Sequence, residues 1–184
     1  MLLQYETRRL VLKILEPDYA KQVLHFYLED KELFERYESD RSPNFYTEEY
    51  HRTLLQVEYG LALRLQKIRF YVFLKEEPNH IIGTVSLYDI SGVYSKADLG
   101  YKFSSKYHHK GYASEAVEKL LDIAFIELNI HRICAYVQEE NIPSIHLLEG
   151  LGFEKEGICR DFLYLNGIWK DHLQYSLLAP VSYV

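Results

Sequence analysis

The sequence predicts an α/β (α+β) fold: a mixed sheet with helices on both faces. Three observations lead there. Short stretches that alternate apolar and polar residues recur along the chain, the period of half-buried strands. A helical period interrupts them. Ala113, Ala116, Val117, Leu120, Leu121, Ala124 and Leu128 fall on one helix face, with Glu115, Glu118, Lys119 and Asp122 opposite. From Ala97 onward the order is strand, helix, strand, helix, strand, strand, a pattern that places helices on both sides of a sheet.

The elements follow in order. Residues 7–15 read as a first strand, with Leu10, Leu12 and Ile14 on one face. Pro17 opens a helix to about residue 28, because its fixed φ suits a first helical turn. Residues 31–37 form a short helix or turn. Thr47 caps a longer helix to about residue 66; Tyr50 stands where a capping box would need Glu or Gln. Residues 70–75 and 81–90 form a hairpin about Glu77-Pro78-Asn79. Ser91-Gly92 turns the chain into the next strand, and the amphipathic helix that follows ends near Asn129. Residues 131–137 are a buried strand. Asn141 starts a helix with Pro143 in its first turn, which Gly150 and Gly152 end. Strands 153–163 and 169–178 are joined by Leu165-Asn166-Gly167, a strong hairpin signal.

Composition narrows the function. With 184 residues, 48% of them hydrophobic, the chain suits one domain over residues 1–184. A net charge of −6 and a pI near 5.8 argue against nucleic-acid binding and fit a cationic partner. No apolar run is long enough to span a membrane, and MLLQYETRRL lacks a signal-peptide pattern, so the expected location is cytoplasmic. Cys134 and Cys159 fall in predicted strands without metal-ligand spacing and read as small buried hydrophobes. His108 and His109 have no further ligands beside them, so no metal is expected.

The chemistry concentrates at the loop between the strand ADLGYKF and the helix SEAVEKLLDIAF. A strand, a tight loop and a helix start make an anion site, because first-turn N–H groups have no intrahelical partner and sit at the positive end of the helix dipole. Gly111 removes the side chain that would block the backbone, and Lys106, His108, His109 and Lys110 add local positive charge. The loop reads as a cradle for a diphosphate.

These residues resemble a family. HHKGYA fits Q/R-x-x-G-x-G/A, the pyrophosphate-loop motif of the GNAT superfamily of acyl-CoA-dependent N-acetyltransferases, with His108 in place of the usual Gln or Arg. DLGYKFSSKYHHKGYASEA and NIPSIHLLEGLGFEKEG resemble segments of the branch that acetylates ribosomal-protein N-termini, the RimJ/RimL type, and YLNGIWKDHLQYSLL resembles its C-terminal hairpin. The resemblance implies a GNAT fold: a central mixed seven-stranded sheet with a splay between the fourth and fifth strands. It also implies a bulge at Leu99-Gly100-Tyr101. Acetyl-CoA would be the cosubstrate. Tyr101, Lys102 and Phe103 would pair with the pantetheine arm. His108, His109, Lys110, Gly111, Tyr112, Ala113 and Ser114 would hold the diphosphate, and Asn141 would touch the arm or simply cap its helix. Asp98 matches an acidic position suited to a base. Ser144 matches a serine proposed to serve the departing thiolate, or it is a first-turn cap. Many members use a tyrosine four residues after that serine, where this chain has Leu148.

Two functions stand side by side. The first is an acetyl transfer from acetyl-CoA to a primary amine, foremost a protein N-terminal α-amine, with polyamines, aminoglycosides and other small amines as competing acceptors. The second is a non-catalytic acyl-CoA-binding module. A homodimer stays open as an assembly. Energetics favour an α-amine where no strong base is evident. Deprotonating a lysine-like amine at pH 7 costs about 4.6 kcal/mol, an α-amine only about 1.4, and the leaving thiol is about 2 kcal/mol from a stable thiolate. Positioning and backbone polarisation can then carry much of the rate.

Overall fold

The structure, a computed structural model, describes residues 1–180. Its strands are β1 (Gln4–Glu6), β2 (Leu10–Lys13), β3 (Ile68–Leu74), β4 (Glu77–Ser91), β5 (Lys96–Phe103), β6 (Arg132–Val137), β7 (Glu154–Leu165) and β8 (Ile168–Leu178). Its α-helices are α1 (Ala20–Glu29), α2 (Lys31–Tyr37), α3 (Glu48–Leu63), α4 (Tyr112–Asp122) and α5 (Ile142–Gly150). One sheet of eight strands runs in the order β1-β2-β3-β4-β5-β6-β8-β7. Every neighbouring pair is antiparallel except β5 and β6, so the sheet is mixed as expected.

The eighth strand is β1, a three-residue edge that pairs Tyr5 with Leu12. Only Tyr5 of the three is buried, so the segment carries too little alternation to stand out in the sequence. The first hairpin turn also moves. Lys75 and Glu76 make it, and Glu77-Pro78-Asn79 opens β4 instead. Proline is tolerated there because it lies at a strand start beside register shifts in the β3–β4 ladder. Pro17 begins a single 3₁₀ turn, Pro17–Tyr19, ahead of α1. The helix α4 runs on into a π-helical turn, Ile123–Glu127.

Alternation along the strands divides the interior in two. Phe70, Val72, Val85, Leu87, Ala97 and Leu99 lie under Ala116, Val117 and Leu120 of α4, with Leu148 of α5 in the same core. Tyr71 and Phe73 face the other way, into Phe26, Tyr27, Phe34, Phe45 and Leu55 from α1 to α3. Gly83 lets the end of β5, with which it pairs, come close to β4. A Cβ there would sit 2.4 Å from the Phe103 ring and 2.7 Å from the Lys102 carbonyl, closer than real atoms come. Thr47 caps α3 as expected, accepting from the Tyr50 N–H at 3.2 Å.

The second core holds an unusual member. His51 is fully buried, stacked on Tyr27 at 5.3 Å and edge-on to Phe45 at 5.0 Å. Neither ring nitrogen has a hydrogen-bond partner among the described residues. Burial, helped by the nearby Arg41 guanidinium, pushes its pKa down to about 4. The unfolded chain therefore binds a proton below about pH 6.5 that the folded chain refuses until about pH 4. His51 should make no pH-dependent contribution above pH 6.5. Between pH 6.5 and 4 stability should fall by on the order of 3 kcal/mol on its account. Urea unfolding at several pH values checks this: His51→Phe should flatten that part of the profile relative to the wild type.

Candidate active site

The sheet parts at one place. β5 and β6 pair only at Lys96↔Arg132, Ala97↔Ile133 and Asp98↔Cys134. Beyond that β5 stays paired to β4 as far as Gly83↔Phe103, and β6 stays paired to β8 as far as Val137↔Leu173. Residues 99–103 and 135–137 therefore each turn an unpaired backbone edge toward a gap. This is the splay expected between the fourth and fifth strands of the predicted seven; it falls between β5 and β6 once β1 is counted. Tyr101, Lys102 and Phe103 all stand on its β5 edge, where unpaired N–H and C=O groups suit an amide-bearing arm. The bulge expected at Leu99-Gly100-Tyr101 is not in the β4–β5 ladder, which stays in register there. The shift lies across the ladder, on β4 between Tyr88 and Ser91, where Asp89 takes φ 49°.

At the end of β5 the chain enters the predicted diphosphate loop. Asp30 at the end of α1 fixes its approach, accepting from Ser105 N–H at 2.8 Å and Ser105 Oγ at 2.7 Å. His108 Nε2 lies 2.8 Å from the Phe103 carbonyl. His109 and Gly111 both adopt left-handed backbone, φ 58° and 74°, as a sharp turn into a helix requires. Gly111 is the N-cap of α4, and no side chain caps that helix. The N–H groups of Tyr112, Ala113 and Ser114 are thus left for an anion.

A clamp that sequence reasoning missed holds this loop. Glu115 accepts from Arg9 Nε at 2.6 Å, Arg9 N–H at 2.8 Å and Thr7 Oγ at 2.6 Å. Arg9 Nη1 also donates to the Lys110 carbonyl at 2.9 Å, and its guanidinium lies 4.5 Å over the Tyr112 ring. Arg8, Arg9, Gly111, Ser114, Glu115 and Glu118 line a cavity of about 360 Å³ beside the helix start. The basic pair was visible in TRRL, but nothing local to it signals a partner 106 residues away.

Asp98 stands at the fork, the last β5 residue paired to β6, directly across from Tyr88 of β4. It faces away from Ala97 and Leu99, so it lies on the α1–α3 side of the sheet. Burial, and then the neighbouring Asp89 charge, raise its pKa to about 6 against the pull of Lys96. Ser144 is on the other side, in the first turn of α5. Asn141 caps that helix, its side chain accepting from Ser144 N–H at 3.3 Å. The phenol of Tyr101 reaches Ser144 from β5, 2.6 Å from its Oγ. Leu148 is 1% exposed and belongs to the core, so the second turn of α5 offers no hydroxyl.

Three further residues complete the surroundings. Lys102 turns its ammonium away from the α4 side, to Glu38 and, at 3.4 Å, to the Tyr27 hydroxyl. Gln138, just past β6, is buried with its amide nitrogen unpartnered among the described residues. An uncapped helix start, a glycine N-cap, two unpaired strand edges and a buried amide donor are what a diphosphate with a long amide arm would need. His25, Glu29 and His80 form a separate cluster whose ligand atoms lie within 4.8 Å of one another, a set able to hold a metal. There Glu29 serves both imidazoles, at 3.1 and 3.4 Å.

Residues 9–154 match the family model of the acetyltransferase (GNAT) domain. The chain belongs to the GNAT acetyltransferase family. GNAT enzymes of this kind are acetyl-CoA-dependent N-acetyltransferases, and so is this chain. It is 34% identical over 174 residues to "Probable N-acetyltransferase YjcK" of Bacillus subtilis, covering 94% of this chain and 96% of that one. It is 29% identical to the ribosomal protein uS5-alanine N-acetyltransferase of Escherichia coli, covering 95% of this chain and 90% of that one. The crystal structure of ribosomal-protein-S5-alanine acetyltransferase from Vibrio fischeri superposes with a TM-score of 0.91 at 29% identity, over 98% of both chains. The GNAT fold and the RimJ/RimL likeness are thereby shown. No helix among the described residues is long and apolar enough to cross a membrane.

Gly111→Asp tests the loop. Aspartate tolerates left-handed backbone better than most side chains, so the fold should persist. Its carboxylate would sit beside Arg9, whose Nη2 lies 3.4 Å from the added Cβ, and would occupy the anion site. Acetyl-CoA at about one hundred times its Kd should raise the wild-type Tm by ~5–10 °C. In a thermal-shift titration the variant should show no such rise.

Proposed function

We propose that this GNAT enzyme acetylates the α-amine at a protein N-terminus, by direct attack on acetyl-CoA in a ternary complex. The observation that carries the proposal is Asp98. It is a half-buried carboxylate with a pKa near 6 at the fork of the splay, and among the described residues it makes no side-chain hydrogen bond or ion pair. A base of that strength suits an amine that is only about 1.4 kcal/mol from neutral at pH 7, and suits poorly a lysine that is about 4.6 kcal/mol away. The likeness to enzymes named ribosomal protein uS5-alanine N-acetyltransferase and ribosomal-protein-S5-alanine acetyltransferase supports a protein acceptor, with a ribosomal protein as a candidate.

The roles follow from position. The diphosphate lies at His108, His109, Lys110, Gly111, Tyr112, Ala113 and Ser114, where Arg9 holds the loop in shape. The pantetheine arm runs along Tyr101, Lys102 and Phe103 and reaches Asn141. The thioester then sits in the gap, with Asp98 on the α1–α3 side and Ser144 on the α4–α5 side. The amine arrives from the Asp98 side and gives up its proton there, and the sulfur departs toward the Ser144 hydroxyl.

The acceptor is tested with two peptide sets, one with free N-termini and one blocked there but carrying lysine. Free N-termini should be acetylated at least tenfold faster, read by thiol release and mass spectrometry. Turnover confined to blocked lysine peptides or to polyamines would reject the assignment. Thiol release with none of the free-N-terminus peptides would reject it too.

The base has its own signature. Both Asp98 and the amine must be deprotonated, so below about pH 6 the logarithm of the wild-type rate should fall with a slope of about two per pH unit. In Asp98→Asn the slope should stay near one, with the overall rate lowered.

A further inference from the structure

Position 148 offers no hydroxyl, yet the gap is not without a phenol. Tyr101 comes from β5, on the opposite bank from α5, and spans the splay to reach the first turn of that helix. Its hydroxyl lies 2.6 Å from Ser144 Oγ and 3.2 Å from the Ser144 carbonyl, and its one proton can go to either oxygen. Tyr101 is only partly exposed and packs against the core under α4 and α5, so the ring is held in place. No other hydrogen bond of the described residues ties β5 to the first turn of α5.

We propose that Tyr101 is the positioning residue of Ser144, so that phenol and serine act as one unit on the departing thiolate. This rests on the role given to Ser144 above. When the phenol donates to Oγ, the serine's own proton is free to point at sulfur. In the transfer step the amine nitrogen bonds to the thioester carbon, and the C–S bond breaks with its electron pair going to sulfur. The nitrogen's proton passes to Asp98 and on to solvent, and the thiolate stays hydrogen-bonded to Ser144 until solvent protonates it. Tyr101 keeps its proton throughout. Burial raises its pKa to about 12, whereas the thiol's is ~8.5, so the phenol gives a hydrogen bond and transfers no proton.

The experiment compares Tyr101→Phe, Ser144→Ala and the double variant in single turnovers, with a free-N-terminus peptide as acceptor. Acceptor-independent hydrolysis of acetyl-CoA, which releases the same thiolate, is a second readout. Thiolate stabilisation caps each defect at about thirtyfold at pH 7. Tyr101→Phe should be about five- to tenfold slower, with acetyl-CoA affinity within twofold of wild type and Tm little changed. The double variant should be no slower than Ser144→Ala, and both losses should shrink above about pH 8.5. A merely structural tyrosine would not produce that pH dependence. Normal turnover in Ser144→Ala would remove the serine role itself. A slow Ser144→Ala beside a normal Tyr101→Phe would sink the pair alone. Tighter acetyl-CoA binding by Tyr101→Phe with no loss of rate would also overturn it, since the phenol would then be a strap that the pantetheine arm has to displace.

Discussion

The contact on which the site depends is the short parallel pairing of β5 with β6. Three residue pairs hold the strands together and then the ladder stops, although both strands continue. Leaving backbone N–H and C=O groups unpaired at the edge of a gap is unfavourable unless water or a ligand serves them. The rest of the fold keeps the gap open. Antiparallel partners fix each bank, β4 on one side and β8 on the other. The helices that follow the two strands, α4 and α5, both lie on one face and start where the strands end. A gap between two strands of one sheet joins its two faces, so a thioester inside it would have Asp98 on one side and Ser144 on the other, as the proposed roles require.

The electrostatics are local. The chain is acidic as a whole, at −6, but the start of α4 gathers Arg8, Arg9, His108, His109 and Lys110. Arg9 links this cluster to the fold. It is neutralised by Glu115, it supports the Lys110 carbonyl, and it lies over Tyr112. Much of its effect on a diphosphate would therefore come through loop shape rather than free charge. On the other face Lys102 and Arg41 converge on Glu38, a half-buried charge group set against the aromatic core of Tyr27, Phe34 and Phe45. This ties the segment after α2 to β5 and so fixes the α1–α3 wall beside the gap.

At position 148, where the family resemblance would put a tyrosine, this chain has leucine. Leu148 is deep in the core, so tyrosine there would need space that is already filled. Tyr101 puts a hydroxyl against the same helix from across the gap. Its raised pKa makes it a donor of hydrogen bonds at any physiological pH.

The sequence by itself determined the elements and the loop. Period-2 and period-3.6 patterns place most strands and helices within a few residues, because burial on one face leaves a periodic trace in the chain. HHKGYA marks the start of α4, because a left-handed N-cap there needs glycine. The three residues of β1 were not legible, since one buried residue makes no pattern. Only the tertiary structure decided which residues meet. Arg9 with Glu115, Tyr101 with Ser144, and Lys102 with Glu38 are separated by 106, 43 and 64 positions. Such pairings leave no local trace, because a side chain's intrinsic preferences do not depend on a partner brought beside it only when the sheet closes. The same holds for Asp98. Its carboxylate is ordinary in the sequence, and burial beside Asp89 at the fork of two strands raises its pKa to about 6.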